Sequence, residues 1–117
     1  AERDALARIL ASSQAKATVL TGSPATAHVQ IWLDPATGQA VLATRDLPTA
    51  PDGKLYELWL IKGQTPIAVD VFRPIQGQGL LLFQLPGPPG AYTLAAITVE
   101  SSKVDQPTSP PILAGKL

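Results

Sequence analysis

The sequence has 117 residues, of which 45% are hydrophobic and 15% are charged. This length suits one domain with its own core, and the apolar content is too high for a disordered chain. Nine lysines and arginines balance nine aspartates and glutamates, so the net charge is zero and nucleic-acid binding is not expected. The absence of cysteine excludes disulfides and thiolate metal sites, and one histidine is too few for a metal site.

The first fifteen residues differ in pattern from the rest of the chain. Leu6, Ile9 and Leu10 recur at spacings of three and four, which is typical of one side of an α-helix. From residue 16 onward the apolar period changes to two, as in strands. We therefore expect a linker or short helix over residues 1–15, with Leu6, Ile9 and Leu10 as a possible docking side, and a β domain over residues 16–117. The first segment is either a passive linker or a connector next to a membrane.

Eight apolar runs separated by turn sequences follow this segment. They span residues 16–20, 28–33, 39–45, 54–62, 66–72, 80–85, 92–100 and 112–114. All twelve prolines fall between these runs or at their edges, where no ladder hydrogen bond is lost. Runs at this spacing, with no helical pattern between them, indicate an antiparallel sandwich or barrel. The sequence predicts an all-β fold, an antiparallel β-sandwich of about seven to eight strands with a short N-terminal helix.

The run over residues 54–62 is predicted to lie in the middle of a sheet, because it is apolar on nearly both faces. Alternate residues of a strand point to opposite faces. Tyr56, Leu58 and Leu60 share one face, which we expect to contact the core. Its other face carries Glu57 and Trp59 among apolar neighbours.

No catalytic or cofactor-binding constellation is visible in the sequence. The acidic residues are scattered, no serine lies in a Gly-x-Ser-x-Gly motif, and the glycine-containing loops match no phosphate-binding pattern. We therefore predict a protein that is not an enzyme and binds neither a cofactor nor a metal ion. Aromatic residues on a polar sheet face can form a recognition surface, or a loop or the N-terminal helix can cover them. The candidates for such a surface are His28, Trp32, Glu57 and Trp59.

The order of several short motifs resembles the C-terminal, extracytoplasmic domain of the anti-sigma-K factor family. The motifs are Val41 with Leu47-Pro48, the stretch from Gly53 to Ile61, then Gly63, Pro66 and Phe72, the stretch from Ala96 to Glu100, Pro107-Thr108, and the stretch from Ile112 to Gly115. The Tyr-x-Leu-Trp-Leu-Ile core is the most specific of them, and the resemblance covers residues 16–115. It departs from the family at residues 101–105, where a proline and paired glycines are usual, and at Ser109, where glycine is usual.

The resemblance implies a single-pass protein of the cell membrane with three parts. A cytoplasmic domain would sequester a sigma factor, one helix would span the membrane, and the present domain would lie on the extracytoplasmic side. Regulated proteolysis by an envelope protease would then release the sigma factor in response to an unidentified signal. The sigma-binding domain and the membrane span are expected upstream, because neither pattern occurs in these 117 residues. The alternative function is a secreted carbohydrate- or protein-binding β-sandwich module that uses Trp32 and Trp59.

Overall fold

The structure is a computed structural model that describes residues 2–117. One helix, α1, precedes eight strands, and a short 3-10 turn, Pro89–Ala91, precedes β7. The bounds are α1 Glu2–Ala11, β1 Lys16–Gly22, β2 His28–Asp34, β3 Gln39–Arg45, β4 Leu55–Lys62, β5 Thr65–Phe72, β6 Gly79–Gln84, β7 Leu94–Glu100 and β8 Leu113–Lys116. The predicted all-β class, the number of strands and the short N-terminal helix are confirmed.

The eight strands form one antiparallel sheet that folds over on itself. Their order is β5-β4-β7-β8-β1-β2-β3-β6, and the two edge strands, β5 and β6, contact each other. The first part of β1, Lys16–Leu20, pairs with β2, whereas Thr21 and Gly22 pair with β8. Since β1 belongs to both halves, the two faces of the predicted sandwich, β5-β4-β7-β8 and β1-β2-β3-β6, are parts of one nearly closed sheet.

The main hydrophobic core lies between the two halves of the sheet. Strand β4 lies between β5 and β7, and its residues Tyr56, Leu58 and Leu60 are buried in this core as predicted. The Tyr56 hydroxyl donates a 2.6 Å hydrogen bond to the backbone carbonyl of Pro48. The proline-rich crossing over residues 47–53 carries the chain from β3 in one half to β4 in the other.

Residues 34–38 form the turn between β2 and β3. Asp34 Oδ1 accepts a 3.0 Å hydrogen bond from the Ala36 amide, and the Gly38 amide bonds to the Asp34 carbonyl at 2.8 Å. Gly38 has φ of +74°, the left-handed region that glycine adopts without strain. The pairing of Asp34 with Gln39 then continues along β2 and β3.

Most strands begin or end one or two residues from the sequence expectation, and the last two strands show the physical reasons. The run over residues 92–100 begins as a strand only at Leu94, because Tyr92 directly follows the 3-10 turn, although Tyr92 is buried in the core. The last strand is Leu113–Lys116, and not residues 112–114, because the Leu94 end of β7 pairs with Lys116. Within residues 2–117, no helix has both the length and the apolar character needed to cross a membrane.

Candidate functional site

A group of polar side chains lies buried on the outer face of β4 and β7, on the side of the sheet away from the main core. Alternation along β4 directs Glu57 and Trp59 to this face, and the register places Glu57 opposite Thr98 and Leu55 opposite Glu100. We call Glu57, Trp59, Thr98 and Glu100 the polar cluster; each is at most 1% exposed. Burial of two carboxyl groups outside the core requires a cover that offers them hydrogen bonds.

The cover is the connection between β7 and β8, residues 101–112, which we call the covering loop. The Val104 amide donates a 3.1 Å hydrogen bond to Glu57 Oε1. The Thr108 amide lies 3.3 Å from both carboxylate oxygens of Glu100, and the Thr108 hydroxyl also donates to Glu100 Oε1. The Ser109 hydroxyl donates a 2.7 Å bond to the Val99 carbonyl. These bonds hold the loop on the sheet at the carboxyl groups of Glu57 and Glu100 and at the Val99 carbonyl.

A chain of hydrogen bonds connects the members of the polar cluster. The indole Nε1 of Trp59 donates to the hydroxyl of Thr98 at 2.8 Å, and that hydroxyl donates to Glu100 Oε2 at 2.6 Å. With the bonds from Thr108, Glu100 accepts from both β7 and the covering loop. Glu57 is less well satisfied, because its Oε2 atom is buried and has no hydrogen-bond partner within residues 2–117.

These differences in hydrogen bonding shift the pKa values of the two carboxyl groups in opposite directions. Burial raises the pKa of Glu57; the Val104 amide acts against this shift, and the charge of Glu100 adds to it. Burial also disfavours the charged form of Glu100, but its hydrogen bonds from Thr108 and Thr98 outweigh that effect and hold its pKa below the ordinary value. One face thus carries one acid whose pKa is raised, Glu57, and one whose pKa is lowered, Glu100.

On the opposite half of the sheet, α1 packs against the outer face of β2, β3 and β6. Ile9 is 1% exposed and lines a shallow pocket with Leu82 of β6. Val41 of β3 is also 1% exposed, although it lies on this outer face between Trp32 and Leu82 in the register. A buried valine on an outer face needs a covering element, and α1 is the helix that contacts these strands.

The three predicted docking residues of α1 occupy different environments. Ile9 is buried, Leu6 is partly buried and Leu10 is 54% exposed. The docked side is centred on Ile9, because the side chain of Leu10 lies about 100° farther round the helix. Just beyond the helix, the Ser12 hydroxyl donates a 3.0 Å hydrogen bond to Asp34 Oδ1. The buried Ile9 side chain and the hydrogen bond from Ser12 to the β2–β3 turn thus help to hold this end of the chain.

The four residues proposed from the sequence as an interaction surface do not come together. His28 is exposed and Trp32 is partly buried on the outer face of β2, whereas Glu57 and Trp59 lie on the outer face of β4, in the other half. The covering loop buries Glu57 and Trp59, so these two side chains do not form an exposed surface. Sequence reasoning missed the partners Thr98, Val104 and Thr108; the available signal was a pair of acids in two apolar runs.

No group of three or more histidine and acidic side chains in the described part of the chain could hold a metal ion. The hydrogen bonds from Val104 to Glu57 and from Thr108 to Glu100 hold the covering loop against the polar cluster.

Comparison with known protein families gives a match over most of the chain. The family described as "Anti-sigma-K factor rskA, C-terminal" matches residues 1–112, which is nearly the whole chain and includes α1, the polar cluster and the covering loop. No curated protein and no solved structure matches the chain. Members of this family regulate transcription through a sigma factor, and they are typically associated with a membrane. The matched residues include the Tyr-x-Leu-Trp-Leu-Ile core of β4, and the chain belongs to the anti-sigma-K factor family, as its C-terminal domain.

Proposed function

We propose that this domain is the extracytoplasmic regulatory part of a single-pass membrane anti-sigma factor, and that docking of α1 controls sigma-factor release. In this proposal residues 1–15 connect the β domain to an upstream membrane span, and a cytoplasmic domain binds the sigma factor. An envelope protease cleaves within residues 1–15 when they are released. The burial of Ile9 against β3 and β6 is the observation that carries the proposal.

Protease access depends on local unfolding, because a protease binds its substrate in an extended conformation. Segments near chain termini are frequent cleavage sites unless packing holds them down. In α1 the backbone is helical, Ile9 is buried, and Ser12 is bonded to Asp34. The docked helix is therefore a poor substrate, and the undocked segment is a good one.

The interface that holds α1 is small enough to be switched. Complete burial of one isoleucine side chain is worth roughly 1.5–3 kcal/mol, and one hydrogen bond adds roughly 0.5–1.5 kcal/mol, before the cost of ordering the segment. A signal molecule or partner protein can shift such an equilibrium only by its difference in affinity for the two states. A gap of a few kcal/mol brings the shift within reach of an ordinary ligand.

Limited proteolysis of the 117-residue chain tests this proposal, with Ile9→Asp as the variant that prevents docking. Leu10→Asp is the matched control, because it places the same charge on the same helix at an exposed position. We expect faster cleavage within residues 1–15 for Ile9→Asp, and the wild-type rate for Leu10→Asp. Equal rates in all three proteins would overturn the gating mechanism, provided that circular dichroism shows an intact β domain in each.

No observation in the structure favours the alternative of a secreted binding module. A carbohydrate site of that kind needs its tryptophans on an open face, and Trp59 is 1% exposed beneath the covering loop. We also propose that the domain is not an enzyme. In support, the family is regulatory, and the buried carboxyl groups of Glu57 and Glu100 are occupied with hydrogen bonds to the loop and to Thr98.

A further inference from the structure

We propose that the covering loop is a proton-linked flap, which closes more firmly when Glu57 is protonated and opens more readily when Glu57 is ionised. The loop lies directly over this side chain, and the Val104 amide donates to Glu57 Oε1. The second oxygen, Oε2, is buried without a partner in the described part of the chain. Closing the loop therefore removes water from the Glu57 carboxyl group and replaces it with one hydrogen bond, from the Val104 amide.

The two protonation states of Glu57 differ in how well they suit this environment. A carboxylate is a pure acceptor with two oxygens to satisfy, and here only one of them receives a hydrogen bond. A protonated carboxyl group keeps the bond from Val104 and carries no charge, so its burial costs much less. When the loop opens, water solvates either state. Closure therefore favours the protonated form, and protonation favours closure.

The charges around Glu57 do not offset the burial of a negative charge. Glu100 of β7 is a second acid in the same polar cluster, and Asp105 of the loop acts in the same direction. Lys103 of the loop is the cation that favours an ionised Glu57. Its side chain is 56% exposed, and its ammonium group lies 3.5 Å from Asp70 of β5, with which it forms a salt bridge. Solvent and Asp70 thus weaken its effect on Glu57.

The direction of the pH dependence follows from these contacts. Burial raises the pKa of Glu57 in the closed state, whereas in the open loop its pKa is ordinary. Stability of the closed loop is then fully present below the ordinary pKa and is lost as the pH rises through the raised one. Between these two pKa values the equilibrium constant for loop opening increases with pH, by at most about tenfold per pH unit for one proton. Below the ordinary value and above the raised one, it does not change with pH.

Glu100 gives the stability of the closed loop a second pH dependence, of the opposite sign. Its pKa is held low by the bonds from Thr108 and Thr98, so its contribution is present above the ordinary glutamate pKa and is lost as the pH falls through the lowered value. The closed loop is therefore most stable at pH values above those at which Glu100 gains a proton and below those at which Glu57 loses one. Ionisation of Glu57 at higher pH makes the loop open more readily, and opening uncovers Trp59.

This inference does not depend on the proposed gating by α1. The helix packs on β2, β3 and β6, and the covering loop packs on β4 and β7, in the other half of the sheet. The two mechanisms use different residues and can fail separately.

Amide hydrogen exchange of the 117-residue chain tests the flap, measured by NMR at several values between about pH 5 and 9, on either side of neutrality. The rates are expressed as protection factors, so that the intrinsic pH dependence of exchange cancels. The reporting amide is that of Val104, and the amides of the β2–β3 ladder are the internal reference. Glu57→Gln is the decisive variant, because an amide side chain retains the acceptor for Val104 and cannot ionise.

We expect the protection of the Val104 amide to fall as the pH rises in the wild type, by up to tenfold per pH unit. In Glu57→Gln it should stay at the level of the protonated wild type. The same pH profile in both proteins would overturn the proposal. The pKa of Glu57 can also be measured in the wild type, by carbon-13 NMR titration of its carboxyl group. This test does not depend on whether a variant folds. A pKa at or below the ordinary glutamate value would also overturn it.

Discussion

Trp59 and Thr98 are joined across β4 and β7 by a 2.8 Å hydrogen bond from the indole Nε1 to the threonine hydroxyl. The two residues are diagonal neighbours, since Trp59 lies opposite Ala96 in the register. The same hydroxyl donates to Glu100 Oε2 at 2.6 Å, so it accepts one bond and donates another. An indole and a carboxylate cannot both be satisfied by a side chain that only donates or only accepts. The threonine hydroxyl therefore permits both groups to be buried on one face.

We predict that Thr98→Val lowers the free energy of unfolding by roughly 1–3 kcal/mol, because it leaves the Trp59 indole and one oxygen of Glu100 short of a buried partner. The replacement has nearly the same shape, so little of the loss comes from packing. Urea denaturation monitored by circular dichroism measures the change. The control is Thr93→Val, since the Thr93 hydroxyl is exposed and makes only a long 3.4 Å bond to the Ile61 carbonyl. A similar loss in both variants would contradict this account of the cluster.

The core face of β4 gives a second prediction. Leu58 is 0% exposed in the main core, and Leu58→Ala should cost roughly 2–5 kcal/mol through lost burial and the cavity left behind. Leu80→Ala is the comparison, because Leu80 lies on edge strand β6 and is 57% exposed. We expect its cost to be small, near ±0.5 kcal/mol, as for surface substitutions in general. Urea unfolding curves of the two variants would disagree with this account if they showed equal losses.

Most of the fold follows from short-range patterns in the sequence. Val29, Ile31 and Leu33 recur at every second position, and this period of two is enough to identify β2 and its buried face. The turn at Asp34 and Gly38 was also predictable, because its conformation depends on neighbouring residues. Closure of the sheet was not, since it depends on β1 dividing its pairing between β2 and β8. Nothing in the sequence of β1 marks that division.

The candidate site was predictable only in part, because its contacts are long-range. The bond between Val104 and Glu57 joins positions 47 residues apart, and no local pattern shows that a loop returns to cover a distant strand. The helix shows a related limit. Periodicity groups Leu6, Ile9 and Leu10 on one side, but the rotation of α1 on the sheet decides that Ile9 is buried and Leu10 is exposed.

A third prediction concerns acid stability. Because the folded-state pKa of Glu100 is lowered, its ionised form stabilises the protein above the ordinary glutamate pKa of about 4.5, and this stability is lost as the pH falls through the lowered value. The difference in the free energy of unfolding between wild type and Glu100→Gln should therefore be largest near neutral pH and shrink in acid. Urea unfolding at a series of pH values measures it.

Glu57→Gln is the natural control for that experiment. The pKa of Glu57 is raised, so its neutral form is the stabilising one, and the difference from wild type should change with pH in the opposite direction. Parallel pH profiles for the two variants would show that the carboxyl groups are not distinguished by their hydrogen bonds.

The last prediction is that α1 opens independently of the sheet. The helix contacts β2, β3 and β6, and its buried residue Ile9 lies outside the main core, so undocking of the helix leaves that core in place. Ile9→Ala removes about 2 kcal/mol of burial, which is more than tenfold in the undocking equilibrium. We therefore expect amides of α1 to exchange more than tenfold faster in Ile9→Ala, and at the wild-type rate in Leu10→Ala, whose side chain is mostly exposed.

Hydrogen exchange of the wild-type protein can contradict that prediction. If α1 undocks alone, its amides should show a lower opening free energy and a weaker urea dependence than the amides of the β2–β3 ladder, because less surface is exposed. Equal opening free energies and equal urea dependence in α1 and in the ladder would mean that the helix leaves only when the whole domain unfolds. A protease could then reach residues 1–15 only by waiting for global unfolding, and a signal acting on α1 alone would have no separate equilibrium to shift.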